Sequence, residues 1–351
     1  MLRSKIMRSV ARFFKFHAHA QMMVAMESGE EATLVGGQAV MEGVMMRAPH
    51  SYCVAVRRAN GDMEFEEREI PKISEKYKFF KYPILRGLGT LGQAMKLGFQ
   101  SLQFSMNTAL KDEAEREAAE KAAAGTEVSA SGEAAASGEE PKSTELGGMA
   151  LAVQALLSVG FFIVMYKFVP LFLAERIAEG RLAINLWDGV IRLAIFLTFL
   201  FALSQLKDIR RVFEYHGAEH KVVFNFESGK PLTVENAQKF TTFHPRCGTS
   251  FLLVLMIISM ITYEFLPIDN FWWKFAARIA LLPFIVGASY ELIRFAAKRQ
   301  GKLLGFLTAP GLWLQRVTTK PPDDTQAEVA IEALNGAMKL EEKQGGELVI
   351  A

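Results

Sequence analysis

Apolar residues gather into four long runs in the second half of this chain, and a bilayer takes about twenty residues of apolar helix to cross. Met149–Leu173 carries Lys167 as its one charge. Leu182–Leu206 holds Asp188 and Arg192 near its start, one helical turn apart, where they can pair. Ser250–Leu266 is shorter, with Glu264 near its end, and Phe275–Ala297 has Arg278 at its start and Glu291 and Arg294 near its finish. Runs of this length in such number predict transmembrane helices rather than buried helices of a soluble domain. Residues 149–302 therefore read as a four-helix membrane domain. The pairs Asp188/Arg192 and Glu291/Arg294 lie toward span ends, so snorkelling accounts for them and a transport path is the least favoured reading.

Other periods mark the rest of the chain. Residues 32–83 read as a β-containing region, with Asn60-Gly61 as a hairpin turn between Tyr52–Arg58 and Met63–Arg68. From 84 to 110, Ile84, Leu88, Leu91, Met95, Phe99, Leu102 and Met106 recur at helical spacing, while Arg86, Gln93, Lys96, Gln100 and Gln103 argue for an interfacial helix over a fifth span. Residues 111–148 are Ala, Glu, Gly and Ser with few large apolar side chains, the composition of a disordered linker. In 303–335, Pro310-Gly311 breaks the apolar stretch Leu303–Leu314. Thr325-x-x-Glu328 then forms a capping box opening a short helix that stops at Asn335-Gly336, before a frayed tail at 336–351. Residues 1–31 hold Arg3, Lys5, Arg8, Arg12 and Lys15 among phenylalanines. That composition suits a basic amphipathic segment on a membrane surface, and an organellar transit peptide shares it.

Together these readings predict a mainly α, polytopic membrane protein with a small N-terminal β-containing cytoplasmic region. Of its 351 residues 50% are hydrophobic, and its net charge of +2 makes no case for nucleic acid as a partner. Basic residues concentrate in the 207–249 loop and after the fourth run, and are offset by acids in 174–181. The positive-inside rule then places both termini and the 207–249 loop in the cytoplasm. Cys53 and Cys247 fall on that reducing side, so free thiols are expected.

The 207–249 loop also carries the chemistry. It holds three of the six histidines and one of the two cysteines. In a helix over 212–224, His216 and His220 stand one above the other, and Glu219 shares their face. His-x-x-Glu-His is a spacing that lets two imidazoles reach one metal while the glutamate serves as general base. His244 and Cys247 add donors of the kind zinc takes, so the expected cofactor is a divalent metal, zinc by preference.

Four segments resemble one known family: Gly36–Arg47; Glu214–Lys221; His244–Phe251; and Ala309–Leu312 with Thr318–Pro321. They are similar to the YqhQ-like bacterial membrane proteins, domain of unknown function 1385, over about residues 33–335. The resemblance implies a bacterial inner (cytoplasmic) membrane protein and carries the family's label of predicted metal-dependent enzyme. Glu42, Glu214 and Arg246 lie inside these motifs and join the candidate site residues.

Two functions follow. In the first, His216, His220 and one of His244 or Cys247 hold zinc and leave a position for water, with Glu219 as its base: a cytosol-facing hydrolase for a lipid or a membrane-protein substrate. In the second, a closed four-ligand metal site with His244 and Cys247 both bound, or a metal-free hydrogen-bond cluster, fixes the loop as a scaffold that docks other membrane proteins. Membrane lipids are partners in either.

Overall fold

The computed structural model describes residues 35–70, 77–123, 148–244, 247–299 and 302–343; the basic segment at 1–31 lies outside them, as does Arg246. Mainly helical, it also holds one small antiparallel sheet. The chain divides into two compact units, one of Met1–Leu110, Phe199–Ile258 and Pro283–Ala351, the other of Lys111–Thr198 and Ser259–Leu282.

The first unit is built on a four-stranded meander: β1 (Gly36–Val40), β2 (Gly43–Arg47), β3 (Ser51–Arg57) and β4 (Met63–Glu69), paired in chain order. The Asn60-Gly61 turn joins β3 to β4 as its sequence predicts, with Gly61 at φ 94°. Strands β2 and β3 are covered on both faces. Val44, Met46 and Ala55 point one way, into a core with Tyr215, Ala218, Val222, Val329, Ala330 and Leu334. Met45, Val54 and Val56 point the other way, toward Leu97 and Phe104 of α1 (Leu85–Ala123). The first face is closed by α5 (Lys207–Glu227) and α11 (Asp324–Lys343).

Several expectations shift here. Helix α1 continues to Ala123, so the 111–148 segment is helical over its first part; Ala-, Glu- and Lys-rich sequence favours helix as well as solvation. Its sheet-facing side is the small and polar one. Beside Leu97 and Phe104, Gly98 approaches the Gln38 side chain, Ser105 donates to the Met41 carbonyl of the β1–β2 turn and Thr108 to Glu64 of β4, while Met95, Phe99, Leu102 and Met106 stay exposed. Helix α11 is capped by Asp323, whose carboxylate accepts from the Gln326 amide at 2.8 Å while Gln326 Oε1 accepts from the Asp323 amide. That capping box lies two residues before the predicted Thr325/Glu328 pair. Nor does α11 stop at Asn335-Gly336. A Cβ at Gly336 would lie 2.6 Å from Cys53 Sγ, so this glycine lets the helix approach β3. Pro310 likewise sits inside a helix, α10 (Lys302–Thr318).

The second unit contains α2 (Gly148–Ile163), a π-helical turn at Val164–Phe168, α3 (Val169–Ile177), α4 (Arg181–Leu203), the end of α7 (Gly248–Glu264) and α8 (Phe271–Ala280). Pro170 lacks the amide that would serve the Tyr166 carbonyl, and Arg192 Nε donates to it instead at 3.1 Å. Asp188 and Arg192 pair as expected, at 2.5 Å. They do not snorkel. Asp188 is fully buried, Arg192 nearly so, and buried Arg278 of α8 joins them at 3.1 Å from Asp188.

Among the described residues, two helical stretches are long and apolar enough to cross a membrane, Leu156–Ile177 and Arg181–Leu203. A third span exists if α8 and the following α9 (Leu282–Arg299), bent by 47°, act as one. Of the four predicted runs, α7 has 17 residues, short of the length a crossing usually takes, and the fourth bends at Leu281. Glu291 pairs with Arg86 rather than Arg294.

Candidate metal centre

Helix α5 carries the site. His216 and His220 follow one another along it with ring centroids 4.5 Å apart. Each ring is held by its Nδ1. His220 Nδ1–H donates to the Thr242 carbonyl at 2.5 Å, and His216 Nδ1–H to the Thr318 carbonyl at 2.8 Å. A backbone carbonyl can only accept, so both rings carry their proton on Nδ1 and present an Nε2 lone pair. That is how ligand histidines are usually oriented.

Cys247 completes a triangle. Its Sγ lies 3.4 Å from His216 Nε2, and the ligand atoms of His216, His220 and Cys247 all fall within 4.8 Å of one another. Around tetrahedral zinc, neighbouring N and S donors stand roughly 3.3–3.8 Å apart, so the three side chains fit the ion with small adjustment. Thr249 Oγ1 donates to Cys247 Sγ at 3.4 Å.

His244 is placed differently. Its backbone is clamped by Gln315, which accepts from its amide at 2.7 Å and donates to its carbonyl at 2.8 Å. Its ring meets that of Phe224 at a tilt, centroids 4.5 Å apart, and Nε2 lies 3.7 Å from a Glu227 carboxylate oxygen. Burial pushes the imidazole pKa down to about 4, against a raising influence of Glu219, so His244 is neutral near pH 7. It backs the triangle without belonging to it.

Glu219 is buried, with Oε2 3.4 Å from His220 Nε2. Gly37 of β1 makes room for it: a Cβ there would lie 2.7 Å from Glu219 Cγ and 2.6 Å from the Met45 carbonyl oxygen. Gly217 does the same for the chain after α10, since its Cβ would lie 2.0 Å from the Lys320 carbonyl oxygen. The supporting residues Gly37, Thr242, Gln315 and Thr318 carry no ligand signature in sequence; the paired glycines at 36–37 are the one visible trace.

Two of the other candidates, Glu42 and Glu214, hold elements together. Glu42, at φ 52° on the β1–β2 turn, takes an ion pair from Arg211 and a hydrogen bond from Tyr215 at 3.4 Å. Burial, with the Glu42 charge beside it, raises the Tyr215 phenol pKa. Glu214 accepts from Gln326 at 3.1 Å and tethers α5 to α11.

The sequence pattern of the family DUF1385, described as a protein of unknown function, matches residues 82–340. The chain is 37% identical to the uncharacterized protein YqhQ of Bacillus subtilis strain 168 over 320 residues, covering 87% of this chain and 92% of that one. No solved structure matches. The family match takes in the His/Cys triangle and begins after the sheet, so the Gly36–Arg47 motif lies outside it.

Proposed function

From the premise that this chain belongs to the DUF1385 family, whose description assigns no activity, we propose that it is a bacterial inner-membrane, metal-dependent enzyme. Its class is a hydrolase acting on a lipid or membrane-protein substrate at the bilayer surface. The observation that carries this reading is the three-donor triangle of His216, His220 and Cys247 with a buried carboxylate beside it. Three ligands leave a coordination position, whereas structural zinc sites close with four.

A divalent ion such as zinc supplies Lewis acidity and a lowered water pKa at a site of this kind. His216 and His220 offer Nε2 donors whose orientation is fixed by the Thr318 and Thr242 carbonyls. Cys247 offers its Sγ as the third donor. Glu219 holds its carboxylate where it can accept a proton from water beside His220. Apolar helices 22 and 23 residues long support a membrane location, and the exposed stripe Met95, Phe99, Leu102 and Met106 on α1 suits contact with lipid.

Purified full-length protein is expected to hold about one zinc-like ion per chain, lost in the His216→Ala/His220→Ala double variant and strongly reduced in Cys247→Ala. Metal content unchanged in the double variant refutes the site. Glu219→Gln separates the enzyme from a scaffold. A general base predicts retained metal and failure to complement a strain lacking the protein. Full complementation moves the function to docking, and a ten- to hundredfold weaker metal affinity assigns Glu219 to orienting a ligand.

A further inference from the structure

The second unit contains a cluster of charge that the metal centre does not use. A cavity with room for about one water molecule is lined by three cationic side chains, Arg181, Lys274 and Arg278, together with Asn185 and Tyr263. Among the described residues, no carboxylate lines it. Behind the wall, Arg278 and Arg192 share the buried carboxylate of Asp188, and Lys167 Nζ donates to the Tyr263 hydroxyl at 3.0 Å. The Asn185 amide donates to Glu264 at 2.8 Å, and Lys274 pairs with Glu175. The two buried guanidiniums, Arg192 and Arg278, thus share one buried carboxylate, while Arg181 is exposed at the rim.

Such an excess is costly out of water unless an anion balances it. Arg278 is 1% exposed, and among the described residues its Nε has no hydrogen-bond acceptor. A buried guanidinium N–H without an acceptor beside a cation-lined cavity is a vacancy for an anionic oxygen. The surroundings indicate its source. Trp272 and Trp273, beside Lys274 on α8, are 65% and 72% exposed, and Phe265 after α7, Ile177 at the end of α3 and Leu182 at the start of α4 are exposed as well. Exposed tryptophans flanking apolar helices suit the headgroup level of a membrane.

We propose that this cavity binds a phosphate-bearing anion, supplied by the headgroup of an anionic lipid. One phosphate oxygen enters toward Arg278 and Asn185, and Arg181 and Lys274 hold the group at the mouth. Charge-assisted hydrogen bonds from arginine and lysine to a phosphate oxygen are the strong ones, and exposed tryptophans beside them suit the headgroup level of a bilayer. The inference rests on the membrane placement proposed above and is independent of the metal.

The test is a tryptophan-fluorescence titration of the full-length protein in neutral detergent with short-chain phosphatidylglycerol, phosphatidylcholine and inorganic phosphate. Phosphatidylglycerol is expected to bind at least tenfold more tightly than phosphatidylcholine, and Arg181→Gln/Lys274→Gln to weaken it about tenfold with metal content unchanged. These two rim residues are chosen because replacing Arg278 strands Asp188 and threatens the fold. Inorganic phosphate bound as tightly as the lipid overturns the lipid source and assigns the site to free phosphate. Equal affinity for both lipids, or no loss in the double variant, overturns the site. A metal-free protein that keeps the lipid preference refutes the metal centre alone.

Discussion

At the scale of single residues, the histidine spacing on α5 was legible, but what distinguishes these imidazoles from solvated ones is the partner of each Nδ1. Those partners, Thr242 and Thr318, lie 22 and 102 positions away in the chain, and a carbonyl oxygen has no side-chain signature. The donor set read from sequence included His244, which burial and Gln315 draw away from the triangle. Glu219 depends on a residue with no side chain at all. Gly37→Ala drives a Cβ against the Met45 carbonyl and Glu219 Cγ, and a backbone oxygen in a paired strand cannot step aside. We expect a loss of about 1–3 kcal/mol in stability, typical of overpacking, and reduced metal retention. Gly36→Ala is the control, because nothing lies within 4 Å of its Cβ, and its effect is expected within about 0.5 kcal/mol. Comparable melting shifts in the two variants refute the close approach to Glu219.

Among elements, the β3–β4 hairpin was readable because Asn-Gly enforces its turn locally. Helix ends were harder, since tertiary packing outweighed local stop signals. Asn335-Gly336 lies mid-helix in α11 because the helix gains contact with β3 there. The far end of that contact is held by Glu341, which accepts from the His50 amide at 2.9 Å, the Ser51 hydroxyl at 2.8 Å and the His50 ring at 2.6 Å. Burial pushes this carboxyl up, but the hydrogen bonds outweigh it and hold the pKa below its ordinary value. A lowered folded pKa means stability that is present above the unfolded value, about 4.3, and lost as pH falls through the folded one. Glu341→Gln is therefore expected to lower stability by about 1–3 kcal/mol at pH 7. The two denaturation midpoints should draw together as pH falls below the unfolded value and through the lowered folded one. A gap that stays constant from pH 7 to pH 3 shows that the charge contributes nothing.

For the whole molecule, hydropathy identified where apolar helices lie but not how many cross, because crossing depends on length and bending that composition does not report. The first unit adds a constraint that hydropathy lacks. Strands β1–β4, helix α5 and helix α11 share one core, and the Lys320 amide donates to the Phe213 carbonyl at 2.9 Å. Segments packed into one core lie on one side of any membrane. The number of crossings between β4 and α5 is therefore even, and so is the number between α5 and α11. Leu156–Ile177 and Arg181–Leu203 meet the first condition as a pair. Under the second, α7 and the bent α8–α9 pair either both cross or both return, so three spans are disfavoured. With the basic loop cytoplasmic, Glu179→Cys is expected to react with a membrane-impermeant thiol reagent in intact cells. Lys230→Cys and Glu342→Cys should react only after permeabilisation. Cys53 contributes no background, since burial first, then Glu67 and Glu332, push its thiol up to about 12. Asp269→Cys decides the last pair: labelling in intact cells gives four crossings, and protection gives two with a re-entrant hairpin. Opposite sides for Lys230→Cys and Glu342→Cys would break the shared core, and with it the assignment of Thr318, carried on α10, to the His216 ring.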